Sequence, residues 1–161
     1  MGKDSVCGND SFTYHGLSFS YLTVCYNYYM SSDIDRIIQS STYKIHPGLY
    51  IYGKAAEPPS LDDCFMISRD EDEITAVVEQ AKLDRVKLTE RNKDLRKLIE
   101  INVSVPFYAV GFLAAVSNAI ASKGANCLIV STYSKDYVLV TKQHFEVAKQ
   151  ALNEHGFKET K

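Results

Sequence analysis

The sequence predicts an α+β fold in which antiparallel sheets carry helices on one face. Three features of the second half of the chain predict it. Residues 97–104 alternate apolar and polar side chains, as a half-buried strand does. Residues 111–123 repeat apolar side chains at the spacing of an amphipathic helix, which Gly124 closes as a C-terminal cap. Two apolar strands and a second amphipathic helix follow, at 126–131, 137–141 and 145–155.

The order βαββα makes up most of a ferredoxin-like βαββαβ unit. Only "FKETK" remains after Gly156, so we expect this unit to lack its closing strand. An open apolar edge would invite aggregation, and the nearest spare strand is residues 43–54, which Pro47-Gly48 interrupts. We therefore predict that 43–45 pairs with the sheet of the second half and 49–54 with that of the first. The two halves would then form one interlocked domain.

The first half gives weaker signals. Three strands are predicted there, at 49–54, 64–68 and 73–80, and the polar turn "RDEDE" joins the last two as a hairpin. Residues 81–97 are charged and space their apolar side chains irregularly, which indicates a short helix and a solvated connection. Residues 1–42 are rich in tyrosine and serine and keep no helical period. Within them 17–26 has the pattern of a strand, and a helix start is predicted at Ser32 or Asp33.

Composition excludes several classes of function. The chain has 161 residues and a net charge of −2 without a basic cluster, which argues against nucleic-acid binding. No apolar run approaches the roughly 20 residues that span a bilayer, and the N-terminus lacks the features of a secretory signal. The four cysteines form no CxxC pair and are expected to be reduced thiols. A cytoplasmic protein is predicted.

No catalytic or metal-binding motif occurs in the chain. The four histidines have no acid or cysteine at a motif spacing, and no nucleotide-binding, nucleophile-elbow or zinc-protease pattern is present. The acidic run 70–73 lacks the period and the glycine of a calcium loop and is interpreted as a solvated turn. We therefore expect no enzymatic activity, no cofactor and no metal.

A small-molecule site is suggested by Gly111 and Asp136. A glycine at a helix N-terminus lets a carboxylate reach unpaired backbone N–H groups without meeting a Cβ. Asp136, at the strand ends, could hold an ammonium group, and the pair would form a clamp for an amino acid. The alternative is structural, because glycine also permits close helix packing and aspartate is a common turn former.

Four segments in order carry a resemblance to a known family: "YKIHPGLYIYGK", "FMISRDEDEITAVVEQ", "FYAVGFLAAVSNAIASKG" and "IVSTYSKDYVLVTKQHFEVAKQALNEHGF". They resemble the two-ACT-domain proteins, which are related to the regulatory domains of aspartate kinase and to the CASTOR-type arginine sensors. The resemblance covers residues 43–157. It implies two ACT units packed as an interlocked pseudo-dimer, at 43–96 and 97–161, behind an extension at 1–42.

The resemblance implies a non-catalytic regulatory or sensor protein that binds an amino acid, acts on a partner enzyme or signalling protein, and forms a homodimer. Mapped by motif, the ligand-binding residues would be Thr75, Ala76, Tyr108, Val110, Gly111, Phe112, Thr132, Tyr133 and Asp136. The arginine sensors carry an acid where this chain has Ala109. A buried guanidinium would be unpaired there, which favours a smaller or less basic amino acid.

Two other functions fit the same fold. A scaffold would use its sheets only to pair with partners or with a second copy, and would leave the cleft empty. An acylphosphatase-like enzyme would need an arginine in the phosphate-binding loop, and "SVPFYAVG" has none.

Overall fold

The computed structural model describes residues 34–103 and 110–160 in full, and residues 11–14 and 17–20 as backbone. The described part contains three α-helices: α1 (34–40), α2 (Phe112–Ser122) and α3 (Phe145–Glu154). Its strands are β1 (Ser11–Tyr14), β2 (Leu17–Ser20), β3 (Thr42–Ile45), β4 (Tyr50–Ala55), β5 (Cys64–Arg69), β6 (Ile74–Glu79), β7 (Leu88–Arg91), β8 (Arg96–Asn102), β9 (Cys127–Ser131), β10 (Asp136–Thr141) and β11 (Lys158–Thr160). The α+β fold predicted from the sequence is confirmed.

Strands β1 and β2 form a separate antiparallel hairpin. The predicted strand at 17–26 is therefore found over Leu17–Ser20, and its remainder lies outside the described residues. The predicted helix after Asp33 is found as α1. Ile38 of α1 packs into the main core, so the end of the N-terminal extension is part of the fold.

Strands β4 to β7 form an N-terminal layer in the order β7-β4-β6-β5, with every neighbouring pair antiparallel. This is the strand order of a ferredoxin-like unit. Two 3₁₀ turns, Leu61–Asp63 and Gln80–Arg85, occupy the places of its two helices. The hairpin β5–β6 is confirmed. The predicted short helix within 81–97 is wrong, because this segment forms the second 3₁₀ turn and then β7, a mostly exposed strand with little apolar pattern.

The C-terminal layer contains β3 and β8 to β11, in the order β11-β3-β8-β10-β9. The sequence β8-α2-β9-β10-α3-β11 is a full βαββαβ unit, so the expectation of a missing closing strand is wrong. Strand β11 consists of three exposed residues that pair parallel to β3. It was not recognisable because it contributes backbone hydrogen bonds and no apolar side chain.

The chain from 42 to 55 serves both layers, as predicted. Strand β3 pairs with the second half of β8, from Thr42 opposite Asn102 to Ile45 opposite Ile99. After the Pro47-Gly48 break, Tyr50 is still opposite Arg96, and β4 then pairs with β6 and β7. The N-terminal and C-terminal layers are therefore joined through the segment 42–55, which we call the shared strand.

The two layers pack face to face. Their interlayer core contains Leu98 and Leu139 from one layer and Tyr50 and Val77 from the other. The rings of Phe65 and Tyr137 meet across it, 4.8 Å apart at an edge-to-face angle. On the far side of the C-terminal layer, the three α-helices cover a larger core that includes Tyr43, Ile99, Ile101, Val138 and Phe157.

No helix in the described part of the chain is long and apolar enough to cross a membrane. Cys64 and Cys127 are free thiols, half-buried in their strands, and burial raises the pKa of both. Cys7 and Cys25 lie outside the described residues.

Candidate functional site

Helix α2 begins at a glycine in the left-handed conformation. Gly111 has φ of 89°, and no side chain caps the helix there. Among the described residues, a Cβ at Gly111 would meet Ile34 Cδ1, at 3.9 Å, which is an ordinary van der Waals distance, and the positive φ favours glycine at this position. Phe112 is buried against Phe157, whereas Val110 is 69% exposed. The first turn is thus anchored in the core beside an exposed apolar residue.

Asp136 begins strand β10 at the end of the C-terminal layer. It lies opposite Ser131 of β9 and Ile101 of β8, and the Ser131 hydroxyl donates to Asp136 Oδ1 at 2.6 Å. The turn before it is closed by the Thr132 N–H, which donates to the Lys135 carbonyl at 2.8 Å. No described residue donates a hydrogen bond to Asp136 Oδ2. One oxygen of a half-buried carboxylate is therefore available to a ligand.

The topology brings the two parts of the predicted clamp to one end of the C-terminal layer. Strands β8 and β9 end there and β10 begins there, and α2 is the element that follows β8 in the chain. Thr132 is exposed, and Tyr133 is 89% exposed. We call this end the mouth; its residues are Val110, Gly111, Phe112, Thr132, Tyr133 and Asp136. Tyr108 lies outside the described residues.

Thr75 and Ala76 lie on β6, away from the mouth strands. Because side chains alternate along a strand, the two point to opposite faces of the N-terminal layer. Ala76 is fully buried in an outer core with Ala55, Val78 and Val86. Thr75 shares the interlayer face with Val77, and its hydroxyl donates to Glu73 at 3.3 Å. Their side chains therefore cannot form one wall of a shared site.

A buried acid that the sequence did not reveal lies at the edge of the interlayer core. The side chain of Glu100, on β8, is 8% exposed. His46 Nε2 lies 3.0 Å from Glu100 Oε2, and Lys135 Nζ donates to Oε1. Tyr137 is directly opposite Glu100 in β10, with its ring 6.1 Å from that of His46. A buried carboxylate is thus held by two basic groups from different loops.

The partners of Glu100 determine its charge. Burial alone would raise the pKa of this carboxyl, but the hydrogen bonds from Lys135 and His46 hold the pKa below its ordinary value. The same contact with Glu100 raises the pKa of Lys135. Glu100 is therefore ionised at neutral pH, and its ion pairs tie the β9–β10 turn and the β3–β4 break to β8.

The only sign of Glu100 in the sequence is an acid inside the apolar run "LIEI". The alternation along this strand assigned Glu100 to the polar face. A polar strand face is ordinarily exposed to solvent, so the pattern gave no reason to expect a buried acid. His46 is 54 residues away, so no motif spacing could have joined the two.

We predict that Glu100→Gln lowers stability by about 1.5–3 kcal/mol at neutral pH, the usual contribution of hydrogen bonds to charged groups. Because the folded-state pKa of Glu100 is lowered, the wild-type advantage is fully present above the ordinary pKa of a glutamate and is lost as the pH falls through the lowered pKa. Urea unfolding between pH 3 and 7 measures this. Glu90 is an exposed acid on β7, so Glu90→Gln is the control. Its stability should decline at low pH as that of the wild type does. If stability declined equally at low pH in wild type and Glu100→Gln, Glu100 would not be the ionised, paired carboxylate described above.

A family model for the ACT domain matches residues 90–154, the segment that contains β8, the mouth and α3. No curated protein sequence matches the chain significantly. The matched segment includes both Gly111 and Asp136.

Solved structures share the fold over most of the chain. A protein of unknown function from Vibrio cholerae, described as a possible transport protein, has a TM-score of 0.66 at 24% identity, covering 79% of this chain and 98% of that one. A protein from Agrobacterium tumefaciens has a TM-score of 0.56 at 21% identity, covering 74% and 92%. The ligand-free regulatory subunit of aspartate kinase from Thermus thermophilus has a TM-score of 0.51 at 13% identity, covering 70% and 95%. At these identities the similarity concerns the fold alone.

Proposed function

We propose that this protein is a non-catalytic regulatory or sensor protein of the ACT type that binds an amino acid at the mouth. The observation that carries the proposal is the position of Gly111 and Asp136 at one end of the C-terminal layer, within the segment that matches an ACT domain. The shared fold with the regulatory subunit of aspartate kinase agrees with this class of function.

The clamp matches the two charges of an amino acid. The unpaired N–H groups and positive dipole end of α2 suit the α-carboxylate, and Asp136 suits the α-ammonium. Val110 and Tyr133 offer exposed apolar surface for a side chain. Ala109 supplies no acid for a guanidinium, so a smaller or less basic amino acid than arginine is proposed.

The β9–β10 turn offers a route from ligand to regulation. Asp136 faces the mouth, and its neighbour Lys135 pairs with Glu100 at the interlayer edge. A ligand that draws Asp136 towards α2 would move the turn and alter the contact between the layers. A partner enzyme or signalling protein that touches this edge would sense the change.

Three further parts of the proposal are independent of the ligand. We divide the chain into an extension at 1–42, a first ACT-like unit at 43–96 and a second at 97–161, with β3 crossing that division. We place the protein in the cytoplasm. We also propose a homodimer, which sedimentation equilibrium would detect as twice the mass of 18.1 kDa.

Thermal unfolding of the full chain in each of the twenty amino acids tests the function. A ligand that binds only the native state adds about 2.7 kcal/mol of stability at 100 times its Kd. We expect one or a few small amino acids to raise the melting temperature and arginine to have no effect. If no amino acid shifts the transition, the scaffold function takes its place, with the layer edges β5 and β9 as the pairing surfaces.

Asp136→Asn is expected to weaken the binding of the amino acid identified in this way by about 10- to 150-fold. The change removes a charge-assisted hydrogen bond to ammonium, worth roughly 1.5–3 kcal/mol, and keeps an oxygen that accepts from Ser131. Titration calorimetry measures the affinity. Glu146→Gln, an exposed acid in the first turn of α3, is the matched control and should bind as wild type does. Equal affinities of Asp136→Asn and wild type would reduce Asp136 to a turn residue.

A further inference from the structure

The outer face of the N-terminal layer, which points away from the C-terminal layer, is covered by a turn rather than by a helix. A ferredoxin-like unit normally packs a helix on this face after its third strand. Here the 3₁₀ turn Gln80–Arg85, of six residues, takes the place of that helix. A cavity of about 420 Å³ lies between this turn and residues 91–95, which lead from β7 to β8.

The floor of this cavity is apolar. Its apolar lining residues are Ile51, Leu83 and Leu95, of which Ile51 is only 5% exposed. Ile51 is directly opposite Val78 of β6, so the two share one face, and Val78 belongs to the outer core. The floor is therefore continuous with buried apolar surface, which suits the apolar part of a small ligand.

The other residues that line the cavity are polar, and two of them are cations. Arg91 and Lys93 contribute the positive charge. Gln80 and Asn92 contribute side-chain amides, and no acid of the described chain lines the cavity. Arg91 is opposite Gly53 of β4, where an added Cβ would lie 3.3 Å from Arg91 Cβ. The glycine thus lets the base of the Arg91 side chain lie close to β4.

Neither cation has an acidic partner in the described part of the chain. No ion pair there includes Arg91 or Lys93. By contrast, Arg85 in the neighbouring turn pairs with Asp63 at 3.5 Å. Two like charges that line one cavity repel each other, and an anion between them would replace this repulsion by attraction.

We propose that this cavity binds a small organic anion, a carboxylate that carries a short apolar chain. The planar guanidinium of Arg91 can donate two parallel hydrogen bonds to the carboxylate, and Lys93 adds a second positive charge. The two side-chain amides can donate to the same group. The apolar chain of the ligand lies on the floor formed by Ile51, Leu83 and Leu95.

This site is separate from the mouth. The cavity lies where the chain enters β8 at Arg96, whereas Asp136 is opposite Ile101, about 17 Å further along that strand. A carboxylate without an ammonium group also offers Asp136 no partner. The inference therefore does not depend on the proposed function, and either can fail without the other.

Two-dimensional NMR of the isotope-labelled full chain, titrated with sodium hexanoate against sodium chloride at equal ionic strength, tests the site. We expect saturable shifts of the amide signals of 80–83 and 91–95. Hexanoate should bind about tenfold or more tighter than sodium acetate, because each buried methylene strengthens binding about fourfold. Hexylammonium chloride has the same apolar chain with the opposite charge and should cause no saturable shift in these segments.

Arg91→Gln should weaken the binding of hexanoate by about tenfold or more, because it removes the two parallel hydrogen bonds. Lys93→Gln should weaken it about threefold, as expected of an exposed charge. Lys142→Gln is the matched control and should bind as wild type does, because Lys142 is an exposed lysine that lines only the neighbouring cavity.

The proposal is overturned if hexanoate shifts neither segment, or if acetate or hexylammonium binds there as tightly as hexanoate does. It is also overturned if Arg91→Gln keeps the affinity of the wild type, or if Lys142→Gln loses as much affinity as Arg91→Gln.

Discussion

The fragment 95–161 is expected to remain unfolded in solution, whereas the fragment 34–161 is expected to fold. The shorter fragment retains a whole βαββαβ unit, so its sequence alone would suggest an independent domain. It lacks Tyr43 and Ile38, which are buried in the core beneath the helices. It also exposes the interlayer face of its own sheet, including Leu98 and Leu139. The free energy of unfolding of a folded domain is only about 5–15 kcal/mol. We expect the loss of these buried contacts to remove more than that.

Far-UV circular dichroism and the amide dispersion of a two-dimensional NMR spectrum distinguish the two fragments. The expected result is dispersed amide signals for 34–161 and collapsed signals for 95–161. A fragment 95–161 that unfolds cooperatively on its own would show that β3 is dispensable and that the layers are independent.

The second half of the fold could be predicted because its strands and helices bury regularly spaced apolar side chains. Strand β8, helix α2 and the hairpin β9–β10 each pack an apolar face against the core beneath the helices, and that burial imposes a period on the sequence. Strands β7 and β11 escaped prediction for the opposite reason. They are mostly exposed edge strands that contribute backbone hydrogen bonds and little apolar surface to the cores, so they leave no clear pattern in the sequence.

The charged and conformationally special residues likewise fall into those that the sequence could predict and those that it could not. The positions of Gly111 at a helix start and of Asp136 after a hairpin turn could be predicted, because both are local features and each carries its own residue preference. Glu100 and Arg96 could not be identified. Both lie on the second face of β8, which is buried only because the N-terminal layer covers it. The alternation along β8 predicts that one of its faces is buried. The burial of Glu100 and Arg96 depends on the N-terminal layer, which covers the other face.

Tyr43→Ala is expected to lower the stability of the whole chain by about 3–5 kcal/mol, the range for removing a buried aromatic side chain. Tyr43 is fully buried, in β3 between β8 and β11, and its hydroxyl donates to Asn153 Oδ1 at 2.9 Å. Tyr43→Phe keeps the ring and loses only that hydrogen bond, so it is expected to cost about 0.5–1.5 kcal/mol. Urea unfolding followed by circular dichroism measures both changes.

The two variants also decide whether the layers unfold as one. Tyr43 packs in the core beneath the helices, whereas the chain continues from β3 into β4, a central strand of the N-terminal layer. If the shared strand couples the layers, Tyr43→Ala accelerates hydrogen exchange of the most protected amides in β6 by the same factor as in β10. Faster exchange in β10 with unchanged exchange in β6 would mean two separately stable layers. The coupled outcome would give a ligand at the mouth a mechanical path to the opposite layer, because Asp136 lies on β10, which pairs with β8, and β8 pairs with both β3 and β4.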